Sequence, residues 1–245
     1  MNARILSPYE KTQLARHNKA NADVTGAMPI EYVTGKADFC GLELTVNPSV
    51  LIPRVETEGL VELALQAIAE KQGAVPISIL DVGTGSGAII VSIAKHLENS
   101  PVEVSASASD LSDAALLVAK QNAKNITTLP IQFFISNLLE NVTEKFDLIT
   151  ANLPYIPSEV VKTLEESVIN FEPLIALDGG SDGFTLITDL LKQVRPRLKQ
   201  HGVLILEVDP SHTALFFDHY QKDFRIEFFT DCFDRHRFVR LDLKN

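Results

Sequence analysis

Asn152-Leu153-Pro154-Tyr155 follows an apolar run, Phe146 to Ala151, and offers residue types suited to one demanding reaction. An Asn–X–Pro–aromatic tetrapeptide at the end of a buried strand fits methylation of a planar, weakly nucleophilic NH2 group. The nitrogen lone pair of an amide or exocyclic amine is delocalised. Attack therefore requires both N–H bonds to be held and one face of the nitrogen exposed. Two acceptors meet that need, the Asn152 side-chain oxygen and a backbone carbonyl from the next residue or two. Pro154 keeps Leu153 extended, which aims that carbonyl outward, and the Tyr155 ring can pack against a flat substrate group. An ordinary strand-end turn is the plain alternative.

The second candidate is Asp81-Val82-Gly83-Thr84-Gly85-Ser86-Gly87, between a strand and a helix. Glycines let a ligand approach the backbone closely, and the free N–H groups of a helix start favour a carboxylate or phosphate. The spacing is neither Gly-x-Gly-x-x-Gly nor a P-loop ending in Gly-Lys-Ser/Thr. It is not Gly-x-Ser-x-Gly either, which argues against Ser86 as a nucleophile. The stretch resembles the glycine loop of class I S-adenosylmethionine-dependent methyltransferases. Such a loop calls for an acid at the end of the next strand, to bond both ribose hydroxyls, and Asp110 stands there. Helix capping alone also explains an acid at that position. After the third strand, Asn137 and Leu138 fall where the adenine would lie.

Around these residues the chain alternates strand and helix. Strands are expected at 77–82, 102–108, 131–135, 146–151 and 203–208, and helices at 88–97, 112–124, 184–198 and 212–220. Residues 224–229 and 238–243 read as a closing antiparallel pair. This order predicts an α/β fold, a doubly wound and mostly parallel sheet with its crevice at the carboxyl ends of the first and fourth strands. Upstream, Ser7-Pro8-Tyr9-Glu10 reads as a capping box with proline at the first helical position. Residues 31–46 read as extended, with a hairpin around Gly41, and a helix is expected from Glu56 to about Lys71.

Composition narrows the function classes. The 245 residues, 45% hydrophobic and 22% charged, suffice for one α/β domain with a small appendage. The net charge of −10 disfavours an extended nucleic-acid backbone as the main partner. Cys40 and Cys232 form no disulfide framework, and the six histidines have no ligand spacing, so no metal site is expected. With neither a signal-peptide apolar region nor a membrane-spanning run, a cytoplasmic protein is the default.

With these residues in view, the chain resembles the release factor glutamine methyltransferase family from Pro29 nearly to the C-terminus. The resemblance is carried by Pro29 to Gly35, Phe39 with Gly41-Leu42, Leu51-Ile52-Pro53-Arg54-Val55-Glu56-Thr57-Glu58, the glycine loop and Asn152 to Tyr155. Glu172-Pro173, Ala176 to Gly183, Leu206-Glu207-Val208, Asp234 and Arg237 complete it. It implies a Rossmann-like class I methyltransferase with a seven-stranded sheet, a short N-terminal helical arm (1–28), a connecting hairpin segment (29–55) and a methyltransferase domain (56–245). It also implies transfer of a methyl group from S-adenosylmethionine to the glutamine amide of the Gly-Gly-Gln motif in a peptide chain release factor, with no membrane partner. Carried over by position, Gly83, Thr84, Gly85, Ser86 and Gly87 would hold the methionine part, Asp110 the ribose and Leu138 the adenine side. Asn152 would bind the target amide beside the methyl donor, Leu153, Pro154 and Tyr155 would complete its pocket, and Arg54, Glu56 and Thr57 would line the entrance.

Three departures stand out. Leu153 replaces the family's usual proline, giving Asn-Leu-Pro-Tyr, a form also seen in ribosomal RNA adenine dimethyltransferases. Val55 replaces another proline, and the family's N-terminal helical domain is larger than the stretch before Pro29. Two other readings follow: an adenine N6-methyltransferase on RNA or DNA, and an inactive cofactor-binding interaction protein.

Overall fold

The computed structural model describes residues 4–22, 24–71 and 76–244. Helix α1 (Pro8–Arg16) opens with the anticipated capping box, the Ser7 hydroxyl accepting from the Glu10 amide while the Glu10 carboxylate accepts from that of Ser7. Residues expected to be extended instead begin with a helical turn, α2 (Ile30–Thr34), closed by Gly35 at φ 75°. Five residues are too few for an amphipathic period to show, which is why the turn escapes the pattern. The hairpin follows as β1 (Lys36–Phe39) and β2 (Leu42–Thr45), with both Cys40 and Gly41 at positive φ in the turn.

A 3₁₀ turn (Val55–Thr57) leads into α3 (Glu58–Ala69). The alternating core then runs β3 (Ile77–Val82), α4 (Ala88–Leu97), β4 (Val104–Asp110), α5 (Asp113–Ile126), β5 (Ile131–Ile135) and β6 (Phe146–Ala151). Short helices α6 (Ser158–Val161) and α7 (Glu166–Ile169) and a 3₁₀ turn (Leu174–Ala176) occupy the connection to α8 (Thr185–Val194). The chain closes with β7 (Leu198–Glu207), α9 (Ala214–Phe217), β8 (Phe224–Thr230) and β9 (His236–Leu243). Helix α8 ends earlier than expected because Pro196 cannot continue it, and a 3₁₀ turn takes over.

The seven strands lie in the order β5-β4-β3-β6-β7-β9-β8, parallel as far as β7 and antiparallel for β9 and β8. This is the doubly wound Rossmann-like α/β fold. Successive residues of a strand face opposite sides, so Ile77 and Ile79 of β3 pack with α3 and α4, whereas Leu80 and Val82 pack with α8. Strand order reverses between β3 and β6, the point where such a sheet opens a crevice beyond its carboxyl ends. The hairpin segment closes one side of it: Ala37, Val46, Val50 and Ile52 pack on Ala115 and Val118 of α5, and Asn122 bonds the Thr45 backbone through both ends of its amide.

Candidate active site

A cavity of about 560 Å³ occupies that crevice, within the range of small-molecule sites. Its floor is the glycine loop. The Thr84 amide donates to the Ser109 carbonyl, and the Gly87 amide donates back to that of Thr84. Gly83, Thr84, Gly85 and Ser86 line the cavity; Gly87 stands behind them, at φ 80° against Ala119. At Gly85, φ 56°, a Cβ would project into open space. A backbone bare of side chain at a cavity floor suits a ligand pressed against it.

Asp110, at the end of β4, lines the same cavity. Its Oδ2 accepts from the Gly85 amide at 2.8 Å and its Oδ1 from the Ser112 amide at 2.8 Å. Each oxygen keeps a further lone pair, so the carboxylate is held rigid yet can still accept from two hydroxyls. Capping of α5 falls to Ser112, whose hydroxyl accepts from Ala115, which removes capping as the reason for Asp110. Leu138, at φ 50°, and Asn137 also line the cavity, though the Asn137 amide donates to Glu140.

Beneath the loop, Asp81 is fully buried. Its carboxylate accepts from the Thr84 hydroxyl at 2.7 Å and from that of Thr150 at 2.8 Å, joining the loop to β6. Burial pushes its pKa up to about 7, partly opposed by the two hydroxyls and assisted by the Asp110 charge.

A smaller cavity of about 160 Å³ adjoins the first, sharing Leu51, Arg54, Asn152, Leu153, Pro154 and Ala176 as walls. Tyr155 and Glu207 line only the smaller one. Asn152 stands at the junction, its Nδ2 donating to the Thr57 hydroxyl at 3.1 Å. Its Oδ1 makes no hydrogen bond among the described residues and is the acceptor left for a ligand. The Tyr155 hydroxyl donates to Glu207 Oε1 at 3.0 Å, and the Arg237 guanidinium lies 5.9 Å from the Tyr155 ring centre while reaching Asp231. Burial, then the Glu207 charge, raises the Tyr155 pKa, so the phenol stays protonated. Burial likewise raises Glu207, against the Thr57 and Tyr155 hydroxyls and Arg237.

The tetrapeptide is braced from behind by Gly179 and Gly183. A Cβ on Gly179 would come within 2.7 Å of the Pro154 carbonyl oxygen and the Tyr155 Cα, and one on Gly183 would strike the Tyr155 carbonyl. Arg54 is tied to Glu172, which also accepts from the Ile52 amide. Glu56 is not among the lining residues, whereas Arg54 and Thr57 are. Periodicity gave no notice of Ser49, Val50, Leu111 or Leu174 to Ala176, which line the cavity from turns and helix edges. Glu207 was visible only through the resemblance. Among the described residues no group of three or more His, Cys, Asp or Glu could hold a metal, and no helix is long and apolar enough to cross a membrane.

The Methyltransferase small domain family matches residues 61–171. The release factor glutamine methyltransferase of Lactococcus lactis is 40% identical over 180 residues, which are 74% of this chain and 63% of that protein. Its counterpart from Streptococcus pneumoniae is 37% identical over 220 residues, 87% of this chain and 75% of that protein. The chain thus spans 63% of the Lactococcus lactis relative and, likewise, 62% of the Gloeobacter violaceus one. Among solved structures, a 16S rRNA N2 methyltransferase of T. thermophilus in complex with AdoMet and guanosine superposes with a TM-score of 0.58. It covers 85% of this chain and 50% of its own at 18% identity, a likeness of fold.

Proposed function

The chain belongs to the release factor glutamine methyltransferase family, and on that ground we propose that it methylates the side-chain amide nitrogen of the Gly-Gly-Gln glutamine in a peptide chain release factor. The observation that carries this reading is the orientation of Asn152. With Nδ2 engaged by Thr57, Oδ1 is the acceptor at the junction of the two cavities. An NH2 group donates there, whereas a carboxylate or hydroxylate would be repelled.

S-adenosylmethionine supplies an electrophilic methyl group when bound. The larger cavity fits it by size, by the bare backbone at Gly85 and by the lone pairs left on Asp110. In this reading Gly83 to Ser86 receive the amino-acid portion, Gly87 shapes the turn, Asp110 holds the ribose and Leu138 packs beside the base. Asn152 Oδ1 and the Leu153 carbonyl hold the two N–H bonds of the target amide, and Pro154 and Tyr155 wall its pocket. Rate enhancement then comes from alignment and exclusion of water, with the nitrogen face directed at the methyl donor. Residues 56–245 act as the methyltransferase domain, 29–55 as the connecting segment and 1–28 as the helical arm.

The test is transfer from labelled S-adenosylmethionine to purified release factor, beside its Gly-Gly-Gln glutamine-to-alanine variant and a ribosomal RNA control. Label on the release factor that disappears with the variant supports the reading. Label on RNA would replace it with the adenine alternative.

A further inference from the structure

The hydroxyl of Tyr155 is engaged twice by the protein. It donates to Glu207 Oε1 at 3.0 Å and accepts from Arg237 Nη1 at 3.4 Å. The single phenol proton is thereby committed to Glu207 and a lone pair to Arg237, which leaves no proton to offer a substrate. Arg237 is itself fixed. Its Nε donates to Asp231 Oδ2 at 3.3 Å, in a pair whose side chains are 11% and 0% exposed. The other carboxylate oxygen, Oδ1, accepts from the Phe233 and Arg235 amides at 2.9 and 3.0 Å, which folds the turn between β8 and β9. A guanidinium serves both partners because its donors are spread over a rigid plane. The three anchoring side chains come from the end of β7, the turn after β8 and the start of β9, whereas Tyr155 follows β6.

We propose that Arg237, held by Asp231, is the positioning residue for Tyr155: it fixes the ring as a wall of the target pocket, and the Tyr155 hydroxyl serves as an anchor and takes no part in the chemistry. The inference rests on the glutamine reading above and extends it, since a ring walls a flat amide group only when its plane is set. An unanchored ring is free to swing toward the smaller cavity that it borders. A displacement of about 1 Å is enough to misalign a reacting group.

A double-mutant cycle isolates the effect. The measurement uses the full chain, S-adenosylmethionine and purified release factor, with Arg237→Ala, Tyr155→Phe and the two combined. Each single variant should lower kcat by about tenfold, with cofactor affinity near wild type. The double variant should be no slower than the slower single one, because the two groups act as a unit. A purely structural loss would instead lower kcat by the same factor with and without the Tyr155 hydroxyl. Asp231→Asn keeps an acceptor oxygen for the turn amides but loses the charge that holds Arg237. It should show the same dependence on the hydroxyl, and it decides the matter if Arg237→Ala does not fold. Wild-type kcat in either single variant, or equal losses with and without the hydroxyl, would overturn the proposal. A wild-type chain that leaves the release factor unmethylated, or methylates its Gly-Gly-Gln glutamine-to-alanine variant equally, would instead overturn the glutamine reading beneath it.

Discussion

Arg54 and Glu172, 118 positions apart in sequence, form an ion pair at 2.5 Å in which the glutamate side chain is buried and the arginine partly open to solvent. The same carboxylate accepts from the Ile52 amide. It therefore pins the Leu51-to-Arg54 segment to the loop before Pro173, and both pieces line the larger cavity. Glu172→Ala strands a buried amide and a cation. It should lower the unfolding free energy in urea by about 1–3 kcal/mol and weaken cofactor binding. A variant with unaltered stability and cofactor affinity would show that the pair contributes nothing to either wall.

Asn152→Ala removes the acceptor at the cavity junction while leaving the glycine loop and Asp110 in place. Turnover on release factor should fall by about 10²-fold or more, the effect of losing one preorganised polar contact. Cofactor affinity, read by titration calorimetry, should stay near wild type. Near-normal turnover would refute substrate alignment by this side chain.

Asp110→Ala acts in the other compartment. It deletes the acceptors proposed for the ribose and frees the Gly85 and Ser112 amides, so the loop loses one of its tethers to β4 and keeps the Thr84–Ser109 bond. Cofactor affinity should drop by about tenfold or more, as when hydrogen bonds to a charged group are lost. Equal affinity in variant and wild type would remove Asp110 from the binding site.

Asp81 gives a pH-dependent signature. Its pKa is raised to about 7 in the folded protein, chiefly by burial. The native state therefore holds a proton that the unfolded chain has released, and the sign follows from linkage. The contribution is full below the ordinary carboxylate range and is lost as pH rises through about 7. Asp81→Asn cannot ionise. The stability difference between variant and wild type, measured by denaturant unfolding from pH 4 to 8, should shift in favour of the variant as pH rises. A difference independent of pH would mean that Asp81 titrates as it does in the unfolded chain.

Much of the sheet could be read in advance because its signal is local. The runs 77–82, 131–135 and 146–151 are strands at the expected residues, and 88–97 is the expected helix. The positions of the glycine loop, Asp110 and Asn152 around one crevice follow from strand order alone. The remaining features depend on contacts far apart in sequence. Nothing near Gly179 or Gly183 announces that their missing side chains make room for the Pro154 and Tyr155 backbone. Thr57 looks like one more residue at a helix start until β6 brings Asn152 against it. The turn at 30–34 was missed for a different reason, being too short to show a period.

Strand β9 is last in sequence but sixth in the sheet, lying between β7 and β8. Its Arg237 reaches the Tyr155 hydroxyl at 3.4 Å. As the polypeptide leaves a ribosome, the glycine loop emerges well before the strand that backs Tyr155. A nascent or prematurely terminated chain lacking residues 236–243 has an open sheet edge along β7 and no guanidinium behind Tyr155. The backing of Tyr155 is therefore in place only once β9 has joined the sheet.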